Sequence, residues 1–415
     1  ARGVSSGFSV SGGDKGWFFI QQQIYNAAPT FGSVGTGIII TGDGYGNEEN
    51  IRLAFGTNPT IAGINTSSNG SFSVTFTIDS QKYGSTDIEA IGNVTGVSAF
   101  SKKQVNIRAK LYLVTPNIGT VGTSVTVYGN GFATPTAKID FGTTVSRVEN
   151  VLVSDYGTLA TSFTIDTQAF GTTTINAYHI VNSQSQIAEN SIIFKITGNI
   201  LYVSPLSGTI GSTVEIAGNG FGTSKTVTIL FGTKVSIKQC SSEVNGSWTT
   251  SFTVDTQGFG TTTISASDTV NTLGAGTFTY LITAKLETPQ PGSGTVGTTI
   301  SLTGYGYGAG GDVTISFGNN PNIKTVPASN AGSWTTTFTI DVQKNGTTTI
   351  TAAGAKGLFT QTFVINPNIV SIQPTDGPID TIVTVRGNGF GATEPVRINF
   401  GTNIGIATVT AASDN

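Results

Sequence analysis

The sequence predicts an all-β chain built as a tandem array of similar units, and three observations carry that expectation. Five landmarks recur in fixed order at a near-constant period. Short runs of alternating apolar and polar residues lie between glycine-rich turns. Composition is far from that of a helical protein: charged residues make up 10% of the 415, Gly totals 55, Met is absent, and Ser plus Thr supply about a quarter.

The clearest copy runs from Ser204 to Thr233. Pro205 and the glycines Gly208 and Gly211 read as a tight turn, since Pro fixes φ and Gly adopts conformations other residues resist. Val214 and Ile216 then alternate with polar neighbours as a half-buried strand, Gly218 to Gly222 turns the chain and plants Phe221, and Val227 to Phe231 starts the next alternating run. The first turn glycine recurs at Gly32, Gly119, Gly208, Gly294 and Gly377, giving steps of 87, 89, 86 and 83 residues. The Gly-x-Gly-aromatic turn follows each, at Gly42, Gly129, Gly218, Gly304 and Gly387, and then a Phe-Gly pair at Phe55, Phe141, Phe231, Phe317 and Phe400. Four copies continue to Phe-Thr-Ile/Val-Asp, ending at Asp79, Asp166, Asp255 and Asp341, and then to strands through Ile88, Ile175, Ile264 and Ile350.

In chain order this predicts terminal strands of an incomplete unit in 1–27, complete units over 28–110, 111–198, 199–285 and 286–366, and the front part of another incomplete unit in 367–415. Phe8 to Gln21 aligns with Thr349 to Thr362: both read as a strand, a Gly/Lys-containing hairpin and a second strand. No Gly/Ser-rich or Pro-rich linker separates the units, so they are expected to pack end to end as a semi-rigid rod. Eight-residue strands span roughly 27 Å, which puts such a rod on the order of 150 to 200 Å.

Composition narrows the partners. A net charge of −3 with 20 Lys plus Arg argues against nucleic acid and acidic membranes, and no apolar run reaches the length of a transmembrane helix. Ala1 is followed by no basic and apolar leader, so any signal peptide is expected to have been removed already. One cysteine, Cys240, excludes an intrachain disulfide and reads as a half-buried strand residue.

No catalytic constellation stands out. The Gly-x-Gly turns lack the following helix that a phosphate-binding loop needs, and they read as structural turns. His179 is the single histidine, which rules out a multi-histidine zinc site; it reads as a core-edge or surface residue of a strand. The repeated aspartates read as turn acceptors for backbone N–H groups. Asp43, Glu48 and Glu49 form the best single calcium candidate, against a turn reading favoured by their setting; no other cofactor is expected. Sequons mark Asn65, Asn69, Asn93, Asn245 and Asn345 as glycan acceptor candidates, although their number is what chance gives in a chain so rich in Asn, Ser and Thr. Trp248 and Trp334 are weighed as sugar-stacking platforms, but Phe72 holds the same position in the first unit, which favours core packing.

The order Pro-x-x-Gly-Thr-Val-Gly-Thr, Val-Thr-Val-x-Gly-Asn-Gly-Phe and Ile-x-Phe-Gly-Thr resembles the IPT/TIG branch of immunoglobulin-like domains, repeated in microbial surface proteins. The match is good at Gly119 to Gly142, Gly208 to Gly232 and Gly377 to Gly401, and the fourth unit departs by placing Pro289 ahead of Pro291. The resemblance implies two-sheet immunoglobulin-like β-sandwiches and an extracellular or cell-surface role. The expected function is a structural protein that self-assembles into a surface layer or filament, with copies of itself as partners. The alternative is an adhesin, or a carbohydrate-binding or spacer region of a larger surface protein, with glycans as partners. Two readings of the split unit stay open. The chain is a window from a longer array, or the first residues of one copy complete the last unit of the next. The second reading sets a subunit junction between Phe8, Val10, Trp17, Phe18, Phe19 and Ile20 on one side and Val383, Val385, Phe390, Ile398 and Phe400 on the other.

Overall fold

The computed structural model describes residues 20–94, 96, 98–270 and 276–413. It divides into two compact units: Ala1–Asn199 with Asn219–Thr223 and Val244–Ser247, and Ile200–Gly218 with Ser224–Glu243 and Trp248–Asn415. Every regular element among the described residues is a β-strand, and none contains a helix long and apolar enough to cross a membrane.

In the first unit, Gln23–Ala28, Gly37–Asp43 and Phe72–Thr77 form a three-stranded sheet with Gly37–Asp43 in the centre. A five-stranded sheet runs Phe31–Gly32, Lys103–Ile107, Gly84–Gly92, Asn50–Phe55, Asn58–Asn65. The chain changes sheets at the cis Ala28–Pro29 peptide: Gln23–Ala28 pairs antiparallel in the small sheet, and Phe31–Gly32 pairs parallel with Lys103–Ile107 in the large one. Alternation then does what it predicts. Ile38, Ile40, Ile51, Leu53, Phe55 and Ile88 turn inward to a common core, and their chain neighbours face water.

The next repeat repeats the plan. Lys110–Thr115, Ser124–Asn130 and Leu159–Thr164 make its small sheet, and Ile118–Gly119, Ile192–Ile196, Gly171–Val181, Thr136–Phe141 and Thr144–Leu152 its large one. One exposed extra strand, Gln184–Ile187, folds back on Gly171–Val181.

The second unit contains two more sandwiches of the same order. Their small sheets centre on Thr213–Asn219 and Thr299–Tyr305, and their large sheets on Gly260–Ser267 and Gly346–Gly354. In the complete sandwiches the Phe of the Phe-Gly pair is the clasp between sheets. Phe231 packs at 5.3 Å from Phe252 of the small sheet and 5.5 Å from Tyr280 of the large one, and Phe317 stands at 5.8 Å from both Phe338 and Phe363. In the first unit Phe141 likewise meets Phe163 and Phe194. Large aromatics buried in such pairs supply core energy beyond their area alone.

After Pro367 the described residues form two hairpins only, Asn368–Gln373 with Thr384–Asn388 and Pro395–Phe400 with Asn403–Thr410. Their apolar residues have no opposing sheet. Phe400, equivalent to the fully buried Phe317, is 71% exposed, and Val383, equivalent to the buried Ile300, is 45% exposed.

Candidate functional site: the joints between repeats

The feature built most often is the joint where one repeat meets the next, and it explains why the sequence spends glycines there. Two residues separate the last strand of each of the first three repeats from the first strand of the next, as Arg108 and Ala109 do between Lys103–Ile107 and Lys110–Thr115, and Pro367 alone separates Gly357–Asn366 from Asn368–Gln373. A carbonyl at or just before each crossing lies against the second glycine of the Gly-x-Gly turn: Gln21 on Gly44, Arg108 on Gly131, Thr197 on Gly220, Thr283 on Gly306 and Asn366 on Gly389. A Cβ on Gly220 would stand 2.5 Å from the Thr197 oxygen, and its φ of 70° is left-handed besides. The first glycine serves the core instead, since a Cβ on Gly42 would meet the Phe72 ring at 2.5 Å.

A backbone hydrogen bond closes the joint. The Tyr83 N–H donates to the Phe132 carbonyl at 3.1 Å, Phe170 to Phe221 at 2.9 Å, Phe259 to Tyr307 at 3.1 Å and Asn345 to Phe390 at 3.4 Å. In each case the donor precedes a positive-φ glycine, and the acceptor is the aromatic of the following Gly-x-Gly turn. The hairpin glycines press on the same donor loop: a Cβ on Gly157 would lie 2.6 Å from the Lys82 Cα, and one on Gly246 2.8 Å from the Ala169 Cα.

The donor loop is itself anchored by the repeated Asp-x-Gln. Gln257 Nε2 donates to the Phe231 carbonyl at 2.9 Å and to Asp255 Oδ1 at 3.0 Å; Gln81, Gln168 and Gln343 do the same for Phe55 and Asp79, Phe141 and Asp166, Phe317 and Asp341. The second carboxylate oxygen accepts from the equivalent Asn58 and Asn320 in Asp79 and Asp341 and from the Thr144 hydroxyl in Asp166, while in Asp255 it faces the Lys234 ammonium at 3.7 Å. The aspartates therefore accept side-chain donors where backbone N–H groups were expected. The signal was present in the sequence as a Gln two residues after every one of them.

His179 also belongs to a joint. It is 1% exposed, its Nδ1 accepts the Ala133 N–H at 2.7 Å, and its ring lies between Phe132 and Tyr83 of the preceding repeat. A core-edge or surface placement was expected; Tyr83 covers the ring from 96 residues upstream, a contact that no local pattern announces.

The remaining candidates are scattered. Glu49 is buried, with Oε2 accepting the Gly46 N–H at 2.8 Å and Oε1 the Val94 N–H at 3.1 Å, while Asp43 pairs with Gln23 and Glu48 is exposed. No group of three or more His, Cys, Asp or Glu able to hold a metal comes together among the described residues. Asn65, Asn69, Asn93, Asn245 and Asn345 are all exposed, and Asn345 is also a joint donor. Trp248 and Trp334 are 3% and 4% exposed, so they are core residues and no sugar can stack on them. Cys240 is half-buried in the edge strand Lys234–Ser241, where burial raises its thiol above the usual range against the opposing effect of Lys238. Of the junction candidates, Phe8, Val10, Trp17, Phe18 and Phe19 lie outside the described residues. Ile20, Val383 and Phe400 are exposed, and Val385, Phe390 and Ile398 are half-buried.

Comparison with curated proteins returns no match. Among solved structures, a bacterial integrin-binding invasin aligns over 85% of this chain and 81% of its own at 15% identity, with a TM-score of 0.23. The adhesin InvE of Yersinia pseudotuberculosis aligns over 41% of this chain and 58% of its own at 17% identity and a TM-score of 0.22. The eight N-terminal immunoglobulin domains of the Down syndrome cell adhesion molecule align over 90% of this chain and 52% of their own at 12% identity and a TM-score of 0.18. Likenesses this low carry no argument about arrangement or activity, and the fold rests on the sheets described above. The IPT/TIG domain model matches residues 367–411. That segment holds the same ordered landmarks as the four complete repeats, which resemble it in that respect.

Proposed function

We propose that the chain is a structural, non-catalytic protein of the cell surface that associates with copies of itself into a filament or layer. The observation that carries this reading is the joint: the same backbone bond recurs at four joints and the same glycine contact at five. Uniform joints suit a protein whose task is to hold neighbours in a fixed relation. The extracellular placement follows the resemblance to repeats of microbial surface proteins.

The self-association part rests on the open face of residues 368–410, whose Val383, Phe400, Ile404, Ile406 and Val409 are exposed. Strands of a unit's second half belong on that face, and the sequence of residues 8–20 resembles such strands. In the proposal, this segment of one copy adds to the open face of another, in competition with any polypeptide that follows Asn415. Electron microscopy and sedimentation of the whole chain beside a version without residues 1–19 test it. Polymers that vanish on deletion are expected. Polymers that persist reject the strand exchange, and monomers in both samples reject self-association.

A second reading, glycan binding, has one observation in its favour. Tyr112, 55% exposed, stands 6.2 Å from Tyr128 on the open face of a small sheet, an aromatic platform of the kind sugars stack on. Glycan-array binding that is lost in Tyr112→Ala would support it.

A further inference from the structure

We infer that the joint between the first and second repeats is acid-released: neutral His179 closes it, and protonation of that ring opens it. The ring touches both partners of the closing hydrogen bond. It packs edge to face on Tyr83 at 4.5 Å with an interplanar angle of 86°, and on Phe132 at 5.4 Å and 72°. Tyr83 supplies the N–H of the joint bond and Phe132 the carbonyl.

The Ala133 N–H donates to Nδ1 at 2.7 Å, so the neutral ring accepts at Nδ1 and carries its proton on Nε2. A second proton must go on Nδ1. It removes the acceptor from Ala133, sets two donors against each other and leaves a cation 1% exposed.

The surroundings give that cation little relief. From the preceding repeat the titratable group facing His179 is the Tyr83 phenol. Across the sheet, Thr136–Phe141 presents Ala137 and Gln184–Ile187 presents Gln186 at the paired positions. Lys138, Tyr178 and Glu149 border a shallow cavity of about 170 Å³ shared with His179, and the charges of Lys138 and Glu149 oppose one another. Burial accordingly pushes the imidazole down to about 4.

The sign follows from linkage. An opened joint exposes an imidazole of ordinary pKa, about 6.5, which takes up its proton before the closed one does. Closure is unaffected at neutral pH, weakens as pH falls from about 6.5 to about 4, and changes no further below. At pH 5 the opened population is expected to rise about 30-fold over that at pH 7.5. At the equivalent positions of the later repeats stand Asp268 and Gly354, and the chain has one histidine, so no other joint can respond through an imidazole.

Amide hydrogen exchange of the whole chain at pH 7.5 and pH 5, corrected for intrinsic rates, tests the inference. The Tyr83 amide is expected to lose protection about 30-fold, while the Phe259 amide, which makes the same bond at a joint whose equivalent residue is Gly354, keeps its own. In His179→Gln the pH-dependent loss at Tyr83 is expected to disappear, whatever that variant does to stability at neutral pH. Equal losses at Tyr83 and Phe259, or an unchanged Tyr83, would overturn it. So would an NMR titration placing this single histidine at pKa 6 or above.

Discussion

Glycine positions that look alike in the sequence do different work. Gly211 and Gly220 both have positive φ, at 82° and 70°, but a Cβ on Gly211 meets nothing within 4 Å whereas one on Gly220 meets the Thr197 carbonyl. Gly211→Ala is expected to cost about 1 kcal/mol, the backbone penalty alone. Gly220→Ala adds a clash to it and is expected to cost about 1 to 3 kcal/mol more; urea unfolding of the two variants measures the difference. Gln257→Ala removes the donor shared by Phe231 O and Asp255 and is expected to cost about 1 to 3 kcal/mol in the same assay. At this scale the sequence announced where special residues stand, because period and residue type are written in it. What each one faces was not legible, because Thr197 meets Gly220, and Tyr83 meets His179, only once the chain is folded.

Strands were the most legible level, since alternation reports the buried face directly: Ile300, Leu302, Val313, Ile315 and Phe317 all turn inward as their spacing predicts. Two features escaped that logic. The split first strand depends on which sheet each half joins, which no local pattern records. The extra strand Gln184–Ile187 is exposed along its whole length and therefore has no apolar signature. Burial also separates equivalent strands. Phe317→Ala is expected to cost about 3 to 5 kcal/mol, and Phe400→Ala under about 1 kcal/mol, because the second side chain is already largely in water. Hydrogen exchange should run parallel, with Asn403–Thr410 the least protected hairpin strand and Gly346–Gly354 among the most protected.

For the whole molecule, four complete sandwiches with separate cores imply that a single unfolding free energy does not describe the chain. Calorimetry of Phe317→Ala is expected to lower one transition and leave the others in place, with only the repeats that share a joint with it moving slightly. Chelator is expected to shift none of them. Glu49, the buried member of the calcium candidate, already has its carboxylate oxygens on backbone N–H groups; a fall in any transition on chelation, restored by calcium, would reverse that expectation. The array itself was readable from the sequence because repetition multiplies weak signals fivefold. The joints were not, because main-chain atoms make them and main-chain atoms are the same in every sequence.

The four joint donors, Tyr83, Phe170, Phe259 and Asn345, differ in side chain yet make the same bond. A connection specified by backbone and glycine does not require the two sides to be matched, so the leading end of any repeat suits the trailing end of any other. Duplication, loss or shuffling of whole repeats thus keeps the backbone bond and the glycine contact at every remaining connection and gives up only side-chain contacts such as that of Tyr83 with His179, so a lineage carrying such a gene can change the number of its modules without re-evolving the bond that joins them.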